Sequence, residues 1–463
     1  MIAGLKPYGE YNDSGLPWLG EVPSHWEVRR IKTVLREVDR RSAAGREPLL
    51  SLRMQAGLVD HHASGGRPIP PSALVGYKRV LPGEIVMNRM RASSGLFAAA
   101  TTDGLVSPDY AIFRPVDQIN VAYLVGLFRT PAMMAVFRLE STGLGTGESG
   151  FLRLYSDQFG RLAIPTPPAA EQAAIVRFLD WANGRLDRTI RAKRKVIALL
   201  TEQKQATIHR ATTRGLNSNV ALKPSGVPWL GDIPQHWDVR KLKHVTQFVN
   251  GLPFKPGDWK AEGVPIIRIQ NLNGSEVFNY TNRKGLPAAL LIQPGELMFA
   301  WSGNRGTSFG SFEWTKGFAG YLNQHIFKLF GYTLPKRYFY YVLRAVTRHV
   351  EEQAGGIIGL VHVTKPELGS VVVPLAPHAE AEAIARYIDL ETEAVDRVIG
   401  RLNREIGLLR EYRTQLIADV VTGKLDVRDA IAQLPKEAAT SLEAKPADEA
   451  DDSELTDEEA AEA

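Results

Sequence analysis

Arginine set beside asparagine, glutamine and glycine recurs in the interior of two stretches of this chain. The first stretch holds Arg53 in LSLRMQAG, Arg89 and Arg91 in MNRMRASSG, and Asp109 and Tyr110 in SPDYAIF. The second holds Arg268, Gln270 and Asn271 in IIRIQNLNG, Asn304 and Arg305 in WSGNRGTSFG, and Asn323, Gln324 and His325 in LNQHIF. A guanidinium fork matches the two acceptors of guanine, and a carboxamide matches the donor–acceptor pair of adenine, so the set suits the major groove of DNA. The remaining Lys and Arg suit phosphates, which position a duplex without specifying it. For any one of these side chains a surface ion pair or a turn hydrogen bond serves equally. The group carries the reading, and individuals do not.

Catalysis finds no comparable set. Gly145, Gly147 and Gly150 spell G-x-G-x-x-G, but that motif needs a strand before it and a helix after it, and the surrounding pattern supplies neither. Pro108-Asp109 and Glu202-Gln203-Lys204 are fragments of a metal-nuclease pattern, with Glu202 far along a helical stretch. His61-His62 lacks the third ligand that a metal site requires. The chain has no cysteine, so thiolate chemistry, disulfides and cysteine-held metals are excluded together. No phosphate-cradling G-x-x-x-x-G-K-[ST] run occurs. The expectation is a chain with no catalytic centre, cofactor or metal of its own.

Charge agrees with a polyanionic partner. The net charge is +5, yet residues 436–463 carry 11 acidic residues against 2 lysines, which leaves +14 on residues 1–435. A basic surplus of this kind attracts nucleic acid. The opening residues MIAGLKPYGEYNDSG do not form a secretory signal, and no apolar run approaches the length of a membrane span. The expected location is the cytoplasm.

The elements that must position the polar residues are written twice. Residues 14–34, SGLPWLGEVPSHWEVRRIKTV, match residues 225–245, SGVPWLGDIPQHWDVRKLKHV, at 13 of 21 positions. LAIPTPPAAEQAAIVRFLDWANGRLDRTI from Leu162 likewise answers VVVPLAPHAEAEAIARYIDLETEAVDRVI from Val371, aligning Glu171 with Glu380 and Asp187 with Asp396. A weaker echo joins LPGEIVMNRM from Leu81 to IQPGELMFAW from Ile292. Ile175, Leu179, Leu186, Ile190, Ile197, Leu200 and Ile208 recur at helical spacing, as do Ile384, Ile388, Val395, Leu402, Ile406, Leu409 and Leu416. Gly215 and Gly423 are suitable stops. Each helix then runs roughly 60–68 Å at the α-helical rise. A long helix with one apolar stripe needs a partner, and its nearest equivalent is the other copy. Further apolar residues outside the stripe, Phe178, Trp181, Leu199, Tyr387, Val398 and Leu408, leave a flank for partner subunits.

The predicted class is α+β. Two mixed α/β globules, 1–166 and 217–375, alternate with long helices over 167–216 and 376–425, which form an antiparallel coiled coil with pseudo-two-fold symmetry. An acidic, disordered tail follows over 426–463. Strands are expected at Ile85–Met87, Ala111–Phe113, 266–269 and 325–327, and a helix over 338–350. Trp18, Trp26, Trp229 and Trp237 repeat identically, which fits shared packing better than base contact, because two reading modules should differ where they read.

The order SG.PWLG..P.HW.V, PGE with a glycine loop, SPDYAIF or LNQHIF, then P..P..EQ..I..FLD, all repeated, resembles the specificity subunits of Type I restriction-modification systems. The resemblance spans Leu16 to Leu425. It implies two target-recognition domains, each reading one half of a bipartite, asymmetric DNA target. It also implies two methyltransferase subunits docked on the helices, with restriction subunits joining them. Those partners use S-adenosylmethionine, ATP and Mg. Arg268, Asn271, Asn323, Gln324 and His325 match the family pattern in the second domain, and Arg53, Ser107 and Tyr110 match one variant of the first. Glu380-Ala381 departs from the Glu-Gln seen at Glu171-Gln172, and the acidic tail is not part of the family core. The alternatives are a specificity subunit of a methylation-only or phage-defence assembly without a nuclease, and a stand-alone DNA nuclease or methyltransferase.

Rigid helices of fixed length act as a ruler, with half-sites centred about one DNA turn, 34–36 Å, apart. Four residues inserted within 190–205 lengthen one strut by about 6 Å. Methylome sequencing should then show a spacer longer by about one or two base pairs, at about 3.4 Å per step, with both half-sites unchanged. An active variant that keeps the original spacer removes the ruler.

Overall fold

The computed structural model describes residues 5–143, 152–354 and 359–434. The glycine motif at Gly145, Gly147 and Gly150 and the acidic residues beyond 434 lie outside them. The chain divides into two compact units, Met1–Ala192 with Glu405–Ala463, and Lys193–Arg404. The division falls within the two long helices, α1 (Ala169–Arg214) and α2 (His378–Val421). Each unit therefore contains one half of each helix.

In the first unit a four-stranded sheet is built from β1 (Leu35–Val38), β2 (Ile85–Met87), β3 (Phe97–Ala99) and β4 (Ala111–Pro115), in the order β1-β4-β2-β3. β2 is buried on both faces, which is why it reads as an uninterrupted apolar run. Its alternate residues serve two cores. Ile85 and Met87 join Phe97, Phe113, Phe128 and Phe159 beneath the helices. Val86, Ala98 and Ile112 face Leu50, Leu52, Val80 and Val106 of a smaller layer. That layer consists of the pairs Leu50–Arg53 with Gly57–Asp60 and Gly104–Val106 with Lys78–Val80, linked by a parallel bridge from Leu49 to Leu105.

The second unit repeats this plan. β5 (Gln247–Asn250), β6 (Leu297–Ala300), β7 (Gly310–Glu313) and β8 (Ile326–Phe330) lie in the order β5-β8-β6-β7. Its smaller layer is a continuous sheet of Asn279–Thr281, Val264–Ile267, Gly320–Leu322 and Leu291–Ile292. Leu297 and Phe299 face the helical core, while Met298 faces Ile267, Ile292 and Leu322. The strand expected over 266–269 stops at Ile267, because Asn271 turns the backbone into the one-turn helix Ile269–Leu272. The strand expected from 325 starts at Ile326, and the helix expected over 338–350 extends over Lys336–Gln353.

In each unit the two helix halves run antiparallel, and three contacts at equivalent positions of the repeat tie them to each other and to the globule. Glu171, in the first turn of α1, accepts from Trp26 Nε1 at 3.1 Å and contacts His25 Nε2 at 2.8 Å. Glu380, in the first turn of α2, does the same with Trp237 at 3.0 Å and His236 at 2.8 Å. Asp187 pairs with Arg413 in the first unit, as Asp396 pairs with Lys204 at 2.6 Å in the second. Tyr123 donates to Val421 O at 3.0 Å, and Tyr338 to Thr212 O at 3.4 Å. Gly423 and Gly215 end the helices with φ of +81° and +70°. A Cβ at Gly423 would sit 2.5 Å from Pro23 Cδ, and one at Gly215 would sit 2.9 Å from Glu380 Oε1, so both positions need glycine for conformation and for space.

The apolar stripe is buried at its ends (Ile175, Leu179, Ile208, Ile384, Ile388, Leu416) and half-buried at Ile197, Leu200, Val395, Leu402 and Leu409. The ends are covered by a globule as well as by the other helix. Of the surplus apolar residues, Phe178 is buried in the first unit's core with Trp181 packed against it, which corrects their assignment to a free flank. Leu199, Tyr387, Val398 and Leu408 are exposed. Residues 426–434, at the start of the predicted tail, are structured. Asp426 N donates to Lys6 O, and Arg428 pairs with Asp426 and lies over the Tyr8 ring.

The two glutamates differ in burial. Glu171 is 7% exposed and also accepts from Tyr8 Oη at 2.5 Å, whereas Glu380 is 27% exposed and has no such third donor among the described residues. Stranding a buried donor costs about 1–3 kcal/mol. Glu171→Ala should therefore lower the melting temperature measured by calorimetry more than Glu380→Ala does. Equal shifts, or the reverse order, would show that the clasp is not the source of that stability.

Candidate nucleic-acid interface

In the second unit Val264–Ile267 and Gly320–Leu322 run parallel, with Ile267 opposite Leu322. Parallel neighbours bring their carboxyl ends, and the loops that follow, to one edge. Asn323 N donates to Ile267 O at 3.0 Å and holds the two loops together. Between them lies a cleft of about 190 Å³ lined by Arg268, Ile269, Gln270, Asn323, His325 and Ile326. Four of the residues singled out in the sequence thus share one cavity.

Each is held differently. The Arg268 guanidinium donates to Asn279 Oδ1 at 2.9 Å and lies 5.2 Å from the Trp259 ring centre, which fixes the fork without neutralising it. The Gln270 side chain is exposed. Asn323 Oδ1 accepts from Gln324 N at 2.9 Å. The His325 ring lies 4.9 Å from Trp301, its Nε2 is 3.0 Å from Gln324 Nε2, and its buried Nδ1 has no partner. Asn271 is a brace. It is 4% exposed, its Oδ1 accepts from Arg268 N at 2.9 Å, and its amide donates to Ser275 O at 3.2 Å and Val277 O at 2.8 Å. No atom of that carboxamide is left for a base edge. Asn304 ends, and Arg305 follows, a strand of a different pair, Ser302–Asn304 with Leu360–His362, where Arg305 donates to Ala354 O at 2.8 Å.

The first unit places Arg53 and Ser107 at the same two strand ends. Ser107 shapes the following turn, accepting from Asp109 N at 3.4 Å and, through its carbonyl, from Tyr110 N at 3.1 Å. Lys78, 3% exposed, donates to Tyr110 O at 2.7 Å. Burial, and next the charge of Arg89, push the Lys78 ammonium below its ordinary pKa. Arg89 is engaged with Glu37 at 2.7 Å and Ser156 at 3.2 Å, and Arg91 precedes the one-turn helix Ala92–Ser94. Arg53, Ser107 and Tyr110 are the first unit's counterparts of the second unit's cleft, and Arg89 belongs to the framework.

The fragments weighed for catalysis have structural partners. Asp109 accepts from Arg153 at 3.0 Å, Lys204 pairs with Asp396, and His61 is bonded to Ser51 Oγ at 2.9 Å and to Arg67 O at 3.1 Å. Among the described residues no group of three His, Asp or Glu could hold a metal, and no single helix is long and apolar enough to cross a membrane. Sequence reasoning missed Trp259, Asn279, Trp301 and Lys78. Trp259 carried a signal, being a tryptophan flanked by glycine and polar residues in a stretch with no apolar period.

No protein-family model matches the chain. It is similar, at 23% identity over 451 residues, to a candidate type I restriction enzyme MjaX specificity subunit of Methanocaldococcus jannaschii, covering 92% of this chain and 100% of that one. It is 27% identical over 202 residues to the type I restriction enzyme EcoBI specificity subunit of Escherichia coli, covering 42% of this chain and 41% of that one. Its fold resembles a chain solved in a study of complex assembly and conformational transition of the type I R-M system, with a TM-score of 0.58, 14% identity, and coverage of 86% of this chain and 98% of the other. Joined to a fold written twice, these similarities liken the chain to the specificity subunits of type I restriction enzymes.

Proposed function

We propose that the chain is the non-catalytic, DNA-reading subunit of a cytoplasmic restriction-modification complex, and that each unit reads one half of a split, asymmetric target. The carrying observation is that both units present loops from the carboxyl ends of the same parallel strand pair, yet fill them with different residues. Arg53, Ser107 and Tyr110 occupy those loops in one unit, and Arg268, Gln270, Asn323, Gln324 and His325 in the other. A repeated frame with divergent tips is what an asymmetric target requires. Arg268 offers a bidentate donor for guanine, and Gln270, Asn323 and Gln324 offer carboxamides for adenine.

Docking of methyltransferase subunits on the helices is supported by Leu199 (56% exposed), Leu390 (71%) and Leu408 (63%), large apolar side chains on α1 and α2 that the chain itself does not cover. Restriction subunits join that assembly, and S-adenosylmethionine, ATP and Mg belong to the partners. The stand-alone nuclease or methyltransferase reading is not favoured, since the relatives are specificity subunits.

Two experiments test the reading. Replacing residues 217–375 with the equivalent block of another specificity subunit should change one half of the methylated motif only. A change in both halves would refute independent reading. Within the block, Arg268→Ala should cost about 1–3 kcal/mol of cognate binding and relax one position of the motif while the fold stays intact. Asn271→Ala should instead lower thermal stability, because it strands the Arg268 amide and two carbonyls. If Asn271→Ala relaxes the motif without loss of stability, the division into reader and brace is wrong.

A further inference from the structure

A larger cavity, of about 400 Å³, opens at the carboxyl end of α1, where His209, Arg210, Thr213 and Arg214 face Trp229 and Leu230 of the repeated PWLG segment. Arg210 and Arg214 are four residues apart, hence on one face of the helix, and both are exposed. Among the described residues neither forms an ion pair or a side-chain hydrogen bond, although arginines elsewhere in this unit, such as Arg268, Arg305, Arg337 and Arg348, are bonded.

The wall behind them is aromatic and uncharged. Trp229 stacks on His349, with ring centres 5.0 Å apart and planes at 20°, and His209 lies 6.2 Å from the same indole. Burial lowers the pKa of both histidines, helped at His209 by the charge of Arg348, which favours the neutral ring. Trp229 Nε1 is buried without a hydrogen-bond partner.

Cations in the last turn of a helix complement its dipole, and that alone could place an arginine here. The second helix tests this account. α2 has the same dipole and ends at the same kind of glycine, yet its last residues, Gln415–Val421, include no cation. The arginine pair therefore belongs to the cavity rather than to helix termination. Two unpaired guanidinium groups beside a neutral wall suit an oxyanion with several acceptor oxygens. Trp229 has one face covered by His349, which argues against a stacked base. The volume is several times that of a lone inorganic anion and admits a phosphate with its sugar.

We propose that this cavity binds a phosphate of the DNA backbone, an anchor confined to the second unit that positions the duplex without reading it. The proposal rests on the reading of the chain as DNA-binding.

The test uses the full-length chain with its partner subunits, titrated with cognate and non-cognate duplexes at several salt concentrations. Arg210→Ala combined with Arg214→Ala should weaken binding to both duplexes by the same factor, about three- to tenfold. It should flatten the slope of log affinity against log salt by about one, and leave the methylated motif unchanged. The Arg→Lys pair keeps the charge and should retain most of the slope. An unchanged slope in the alanine variant, a loss confined to the cognate duplex, or a loss of partner subunits at constant slope would each overturn the site. A flattened slope in the lysine pair equal to that of the alanine pair would do the same, because it would point to packing and not charge. Wild-type complex with no salt-dependent binding would remove the parent reading, and this site with it; wild-type salt dependence kept by the alanine variant removes the site alone.

Discussion

One carboxylate per repeat ties together three chain segments that could otherwise drift apart. Glu171 receives the indole of Trp26 and touches His25 from the segment ahead of the globule, while it sits in the first turn of α1. The closing glycine of the other helix packs against the same tryptophan. Glu380 repeats the arrangement with Trp237, His236 and Gly215. A carboxylate at a helix amino end is stabilised by the helix dipole and by hydrogen bonds from neutral donors, so it can be buried without a formal counter-ion. Lose it, and the lead-in strand, the helix start and the facing helix end lose their common point of reference.

From that point outward each unit is a set of layers with fixed spacing. The helix halves cover one face of a four-stranded sheet whose other face carries a smaller layer, and the loops that bear Arg53 and Ser107, or Arg268 and Asn323, hang from the parallel pairing in that layer. The loops are far from the clasp in the layer order, which lets their residues vary while the Glu–Trp–His contact is kept. Bracing side chains such as Asn271 and Arg89 lie between the two regimes. They are polar and sit beside the cleft residues in sequence, but their bonds go to the protein.

The architecture was legible because its signals were long-range and duplicated. The stripes from Ile175 and Ile384 marked the helices, and the shared SG.PWLG..P.HW.V segment marked the repeat. Less legible was which polar residue faces outward. Asn271 and Gln270 are adjacent and chemically alike, yet one is buried with every polar atom of its amide bonded and the other is exposed. Burial of a single side chain depends on loop geometry, which has no period to read. Phe178 misled for a related reason. It lies off the main stripe, but the first unit's globule wraps farther round α1 than a two-helix contact would. The departure at Ala381 also resolves locally. Gln172 accepts from Asn120 N at 2.7 Å and donates to Pro167 O at 2.7 Å, whereas Ala381 is packed among apolar side chains and has no such bonds to make.

The division of the chain into units has a consequence for how the molecule is made. The second unit is one unbroken stretch, Lys193–Arg404, but the first is assembled from both sides of it. Ile175, Phe178 and Leu179 of α1 are buried in a core that includes Leu416, Val420 and Val421 of α2. At ribosomal speeds of about 5–20 residues per second, those α2 residues follow their α1 partners by roughly twelve to fifty seconds. Through that interval the first unit has a sheet and half a helix pair, with part of its apolar core open to water, while the second unit forms from local sequence. The amino-terminal half of the protein is thus the last to be completed, and the nascent chain has a window in which holding chaperones, or misassociation with another nascent copy, compete for the same surface.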